Sequence, residues 1–414
     1  MAVIEDLNSK IATVVGELWP EIDIEVGLRP QLDLSRGDLV TDVCLRLAAV
    51  LRMGQGAIAS QLVSNLSSNL PCSVTYTEGF LNLTLPDKAE WLLSFVAPSV
   101  CPKSESLNCP QYIIILPQLN EQLCRGGYLR LCSIGVFQFL ILKALNVNAK
   151  LYFGKDCVAD SQAVTVAMDV YRAVIERCLS TTRDASKNYF KETLEVIQIP
   201  KQTKIFLWSY TNCGDTRWLT REQKHNGATE RPVEIKALNR DALSGVEIER
   251  DLVLQDWSDR ELLALLFYFS GGTKGHDLDF NVPRMEESDN LLWLVRTTAE
   301  RVERFGQSAI SFNFTDQIVA LNSELALTGR VPRNLLLRLR FLSDWFCLAG
   351  TDGAVVDFTS VLQKLLVSFG RIFNLPDLRQ RLEQGSATPL ESAIISVLYK
   401  EVARLYKELS SIRA

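Results

Sequence analysis

Tyr112-Ile113-Ile114-Ile115-Leu116, Arg125-Gly126-Gly127-Tyr128-Leu129-Arg130-Leu131-Cys132-Ser133-Ile134-Gly135 and Ala149-Lys150-Leu151-Tyr152-Phe153 decide the fold. The first is an unbroken apolar run bounded by Pro110 and Pro117, the pattern of a strand buried on both faces. The second reads as a glycine-containing turn leading into a helix that reaches about residue 145, and the third as the next strand. The order is β-α-β. With a helix over 163–178 and a strand over 203–209, it predicts a parallel sheet covered by helices. Residues 212–251 are polar and weakly periodic and read as loop.

Upstream, Ile4, Leu7, Ile11, Val14 and Val15 have helical spacing, and further amphipathic helices are predicted over 39–51 and 57–70. Short alternating runs at 73–76 and 80–85, joined at Gly79, read as a strand pair, so an α+β domain of about a hundred residues precedes a proline-containing link at 98–110. Downstream of Asp289 the pattern is nearly all helical. Helices are expected over 290–305, 314–327, 332–348, 358–373 and 390–409, separated by turn signals at Gly306, Thr328-Gly329, 350–353 and Pro376. Ile394, Ile395, Leu398, Val402, Leu405, Tyr406 and Leu409 form one apolar stripe, as in a helical bundle.

With 414 residues, 47% apolar and 22% charged, the chain suits two or three domains and excludes collagenous, coiled-coil and extensively disordered classes. Its longest apolar stretch is interrupted at Gln138 and ends at Lys143, short of the ~20 residues a bilayer needs, so no membrane partner is expected. The opening Met-Ala-Val-Ile-Glu-Asp lacks the basic and apolar segments of a secretory signal, and a cytoplasmic location is expected. Ten scattered cysteines without a C-x-x-C pair indicate neither a disulfide framework nor a zinc ribbon, and two histidines, His225 and His276, weigh against metal sites and triads. No metal or cofactor is expected.

Three stretches, in order, resemble the arginyl-tRNA synthetase family of class I. Arg36-Gly-Asp-Leu-Val-Thr-Asp-Val-Cys-Leu-Arg-Leu-Ala48 with Glu78-Gly-Phe-Leu-Asn-Leu-Thr-Leu85 looks like its additional N-terminal domain. Gly127 to Gly135 is similar to the segment that begins at its HIGH signature. Asp277-Leu-Asp-Phe280 and the helices that follow look like its DALR anticodon-binding bundle. The resemblance implies a multidomain fold: an α+β N-terminal domain (1–97), a reduced Rossmann-like α/β core (110–283) that is a degenerate catalytic domain, and a C-terminal all-α DALR bundle (284–414). It also implies tRNA as partner, with the arginine tRNA as the family's own substrate.

The departures point away from catalysis. Where the family has His-x-Gly-His-Leu-Arg, this chain has Arg125-Gly126-Gly127-Tyr128-Leu129-Arg130, losing both histidines expected on the nucleotide phosphates. The lysine signature has no counterpart beyond Lys224. The expectation is therefore a pseudoenzyme with no catalytic residues that binds tRNA, with a protein partner to which it presents or withholds that RNA. Two other readings stay open: an arginine-tRNA ligase using ATP, with Arg125 and a distant lysine replacing the missing groups, and a protein scaffold without RNA binding. The turn Arg125, Gly126, Gly127, Tyr128 could cradle a phosphate or serve only as a βα turn. Gly271 to Gly275 lacks P-loop spacing, and Cys124, Cys132 and His276 read as structural or solvated residues.

Residues 284–414 carry 16 Lys/Arg against 15 Asp/Glu, whereas residues 1–283 carry 28 against 34. Within the less acidic end, the acid-free span 325–343 holds Arg330, Arg333, Arg338 and Arg340, with Trp345 close behind. These are the candidate tRNA-binding residues, because cations beside aromatics suit phosphate contact and base stacking. Arg333 and Arg340, seven apart, share a helical face. A solvated face over core aromatics is the alternative, and Trp345 is either a stacking platform or core.

Overall fold

The computed structural model describes residues 2–92, 111–116, 125–153, 156–160, 167–180, 203–210, 233–238, 257–271, 290–309, 321–322, 333–373 and 376–411. The chain divides into two compact units, residues 1–100, 300–345 and 364–401 in one and 101–299, 346–363 and 402–414 in the other.

The first unit begins with α1 (Ala2–Leu18), whose Ile4, Leu7, Ile11, Val14 and Val15 are all buried, as their spacing requires. β1 (Arg29–Pro30), β2 (Leu39–Thr41), β3 (Ser73–Thr77) and β4 (Phe80–Thr84) make an antiparallel sheet in the order β1-β2-β4-β3, with α2 (Val43–Leu51) and α3 (Gln55–Asn69) inserted between β2 and β3. The hairpin turns at Glu78 (φ 52°) and Gly79 (φ 96°), a pair of positive φ values that suits a two-residue turn between twisted strands. A Cβ on Gly79 would lie 2.6 Å from Leu45 Cδ2, so a side chain there would have to displace that leucine. The helix expected over 39–51 is a correction. Leu39 to Thr41 are extended and pair with Leu83 to Leu81, and only then does the chain turn helical. Pairing with a strand forty residues later outweighs local helical spacing.

The short α4 (Ala89–Leu92) packs against α9 (Arg333–Arg340) within the same unit. Also contributing are segments of α11 (Val355–Phe373), α12 (Pro376–Glu383) and α13 (Pro389–Ser411). Thr388 and Glu391 cap α13 reciprocally, Glu391 N donating to Thr388 Oγ1 at 3.3 Å and Thr388 N to Glu391 Oε2 at 3.0 Å. Arg381 pairs with the same Glu391 and ties α12 to that cap. The stripe expected on the last helix is confirmed at Ile394, Ile395, Leu398, Val402 and Leu405, all buried.

The second unit holds a five-stranded sheet, β7-β6-β5-β8-β9. β5 (Gln111–Leu116) pairs in parallel with β6 (Ala149–Phe153) and with β8 (Thr203–Tyr210), which pairs in parallel with β9 (Val233–Leu238); β7 (Asp156–Asp160) runs antiparallel at the β6 edge. Ile113 to Leu116 are at most 1% exposed, the both-faces burial expected of a central strand. α5 (Arg125–Ala144) crosses from β5 to β6 and packs on the sheet, on α6 (Ala167–Ser180) and on α7 (Asp259–Ser270). β9 lies inside the stretch read as loop, which is a correction: Val233, Ile235 and Ala237 alternate with Glu234 and Lys236, too brief a period-two signal to stand out before its pairing with β8 supplies the hydrogen bonds.

The helices of the C-terminal third include α8 (Leu291–Ala309) and α10 (Leu342–Thr351). The single helix expected over 332–348 is two, α9 and α10, divided at Phe341. Most of the helix expected over 314–327 lies outside the described residues.

Candidate functional site

The strand order of the sheet changes direction at β5. β6 lies to one side of β5 and β8 to the other, the crevice where open α/β sheets present ligand-binding loops. α5 starts here, and Arg125, Gly126 and Gly127 are its first three residues, so the expected turn before the helix lies within the helix. Tyr128 follows in the first turn and is fully buried, as are Leu131 and Cys132.

Arg130 is 5% exposed, and its Nη2 donates to the carbonyl of Gly271, which caps α7, at 2.6 Å. Burial lowers its pKa. One turn on, Ser133 Oγ donates to Leu129 O and shares a hydrogen bond with Tyr171 Oη, both at 2.8 Å. At Gly135 a Cβ would stand 2.5 Å from Leu116 Cδ2 and 3.2 Å from Trp208 Cδ1, so α5 lies close against β5 and β8, and a side chain there would have to displace Leu116. Gln138 closes the series. It accepts from Trp208 Nε1 at 2.8 Å and donates to Gly350 O at 2.9 Å, satisfying both ends of a buried amide. From Tyr128 to Gln138 this helix face is packed interior.

Residues 2–85 match the family model described as the arginyl tRNA synthetase N terminal domain. Over the whole length, the structure is similar to Thermus thermophilus arginyl-tRNA synthetase (TM-score 0.53, 12% identity, covering 99% of this chain and 98% of that one). It is similar also to the arginyl-tRNA synthetase of Plasmodium falciparum (TM-score 0.51, 10% identity, 98% of each chain). The chain has the fold of an arginyl-tRNA synthetase. No curated protein sequence matches it. Within the arginyl-tRNA synthetase fold, the resemblance of Arg125 to Arg130 to a HIGH-type segment sits at the start of the helix after the first parallel strand.

Of the candidate RNA-binding arginines, the described Arg333, Arg338 and Arg340 are each half-buried. Arg333, the first residue of α9, places Nη1 on Asp38 Oδ1 at 2.6 Å and Nη2 on Asp38 Oδ2 at 2.5 Å; Nη2 also donates to Leu85 O at 2.9 Å, and Nε bonds Asp87 Oδ1. All the donor-bearing atoms of its guanidinium are engaged, and the Asp38 carboxylate above all, with Asp87 adding to it, holds its pKa above the usual arginine range. Arg333, which by spacing shares a helical face with Arg340, is thus engaged within the protein. Arg338 and Arg340 are partly buried, burial lowers both pKa values, and Arg340 lies with Cζ 5.9 Å from the Phe341 ring centroid. Trp345 is 5% exposed and is core. Arg330, Lys224, Cys124, His225 and His276 lie outside the described residues. Among the described residues no three His, Cys, Asp or Glu side chains converge as metal ligands, and no helix is long and apolar enough to cross a membrane.

Sequence reasoning missed two exposed cations. Lys364 and Arg371, seven apart on α11, share one helix face in the first unit. Their spacing was legible; that they, and not the arginines of α9, face solvent was not.

Proposed function

We propose that this chain is a non-catalytic relative of arginyl-tRNA synthetase that binds tRNA through its N-terminal domain (1–97) and its DALR-type bundle (284–414), with residues 110–283 retained as a scaffold. The observation that carries the reading is Tyr128. At the position that the resemblance assigns to the second histidine of the nucleotide-binding signature stands a phenol with 0% exposure, and Arg130 beside it is tied to Gly271. Activation of an amino acid depends on groups aimed at the charge that develops in the transition state, and a side chain sealed in the core aims at nothing a nucleotide can reach. Binding tRNA needs none of these groups. Its phosphates need exposed cations, and Lys364 and Arg371 are the pair best placed for them on α11.

The test has two arms. Arginine-dependent exchange of pyrophosphate into ATP should be absent, whereas unfractionated tRNA should bind. Replacing Lys364 and Arg371 by alanine should weaken binding and flatten the dependence of log affinity on log salt by roughly 0.7 to 0.9 per lost contact. Arginyl-tRNA formation by the purified chain rejects the non-catalytic reading; absence of any tRNA binding rejects the RNA reading and leaves a protein scaffold.

A further inference from the structure

Asp38 and Arg333 are 295 positions apart, yet Asp38 is fully buried and both its carboxylate oxygens receive the guanidinium of Arg333. Asp38 Oδ2 also accepts from the backbone N–H of Leu85 at 2.7 Å, and Asp38 N donates to Leu83 O at 2.8 Å. The preceding Gly37 has φ 141°, a conformation that favours glycine, and a Cβ there would crowd Asn82 Cβ and Leu83 O at 3.2 Å. The carboxylate is thus fixed by backbone on its own side before the arginine arrives. Asp87, 72% exposed at its side chain, takes the outer edge of the same guanidinium at Nε.

We infer that Asp38, Asp87 and Arg333 form an internal latch joining the N-terminal domain to helix α9, and that Arg333 acts on RNA binding only by holding these two parts in one geometry. This rests on the tRNA reading above. A bidentate guanidinium clamp on a carboxylate seated on its own backbone permits one orientation, and the RNA surfaces on either side of it are preorganised as one body. Arg333 is a positioning residue, not a phosphate ligand.

The two roles predict opposite behaviour of the acid partner. Asp38→Asn removes a negative charge, so if Arg333 were a phosphate ligand restrained by Asp38, RNA binding should tighten. If the latch positions, Asp38→Asn and Arg333→Gln should each weaken tRNA binding, by roughly 2- to 30-fold. The double variant should be no weaker than the worse single, with the log–log salt slope unchanged. Because Asp38 also holds Leu85 N, Asp87→Asn is the control that leaves the inner carboxylate intact; it should weaken binding in the same direction by a smaller factor. Thermal unfolding followed without RNA gives a second readout, in which the singles and the Asp38→Asn/Arg333→Gln double should lower Tm by nearly the same amount. Tighter binding by Asp38→Asn or Asp87→Asn, a shallower salt slope in Arg333→Gln, or additive loss of Tm overturns the inference. If the unmodified chain binds no tRNA while the Tm cycle is non-additive, the functional reading fails and the latch itself stands.

Discussion

The indole N–H of Trp208 on β8 donates to Gln138 Oε1 on α5 at 2.8 Å, and the other end of the same amide donates to Gly350 O. In the sequence Gln138 is only an interruption of an apolar run. In the fold it joins a strand, a helix and the carbonyl of Gly350 through one side chain whose donors and acceptor are buried. Lys204 on the same strand reinforces the connection, donating to Thr351 O at 2.8 Å and pairing with Asp352 at 3.1 Å where α10 ends.

Gln138→Leu keeps volume but leaves Trp208 Nε1 and Gly350 O without this partner in the interior. Each of the two stranded groups costs about 1 to 3 kcal/mol, so roughly 2 to 6 kcal/mol of stability should be lost. Adding Trp208→Phe should recover part of that loss. Urea melts of the two singles and the double check this through the coupling term, and strict additivity counts against the network.

Trp345→Ala tests the choice between stacking platform and core. With 5% exposure, truncation should cost about 3 to 5 kcal/mol and lower the denaturation midpoint sharply. Any loss of RNA affinity should disappear when the variant is assayed well below its Tm. A stable Trp345→Ala protein that has lost RNA binding reverses the assignment.

Asp344, 5% exposed on α10, has its pKa raised above 3.8 by burial, with Glu401 adding to the rise and Arg340 opposing it. The folded carboxyl holds its proton more tightly than the unfolded one, so its contribution to stability is present below 3.8 and is lost as pH rises through the folded value. Asp344→Asn carries no such titration. Its stability relative to wild type should rise with pH across that window, by about 1.4 kcal/mol for each unit by which the folded pKa exceeds the unfolded one. Thermal melts in a series of buffers spanning pH 3 to 7 measure the difference, and one that does not change with pH removes the premise.

Much of the fold was readable along the chain. The apolar run 112–116, the glycine-led helix after it and the stripe on the last helix each report burial through local periodicity, which is set by 2.0- and 3.6-residue repeats and needs no partner to be seen. Ser258 and Glu261, a capping box ahead of the apolar α7, carried the same sort of signal and could have been recognised. β2 and β9 were less accessible, because a short strand is stabilised by the strands that pair with it, and β2 pairs with β4 beyond two helices and β9 with β8 beyond residues 211–232.

The sequence by itself determined which segments are buried in the core, since spacing is a local property. Which cations stay exposed was decided only by tertiary structure. Arg333 and Lys364 are both positively charged helix residues, but a carboxylate from the other end of the chain closes over the first and leaves the second in solvent. An ion pair between residues 295 positions apart leaves no periodicity in either segment, because its energy comes from distance and desolvation in three dimensions, which linear spacing does not encode.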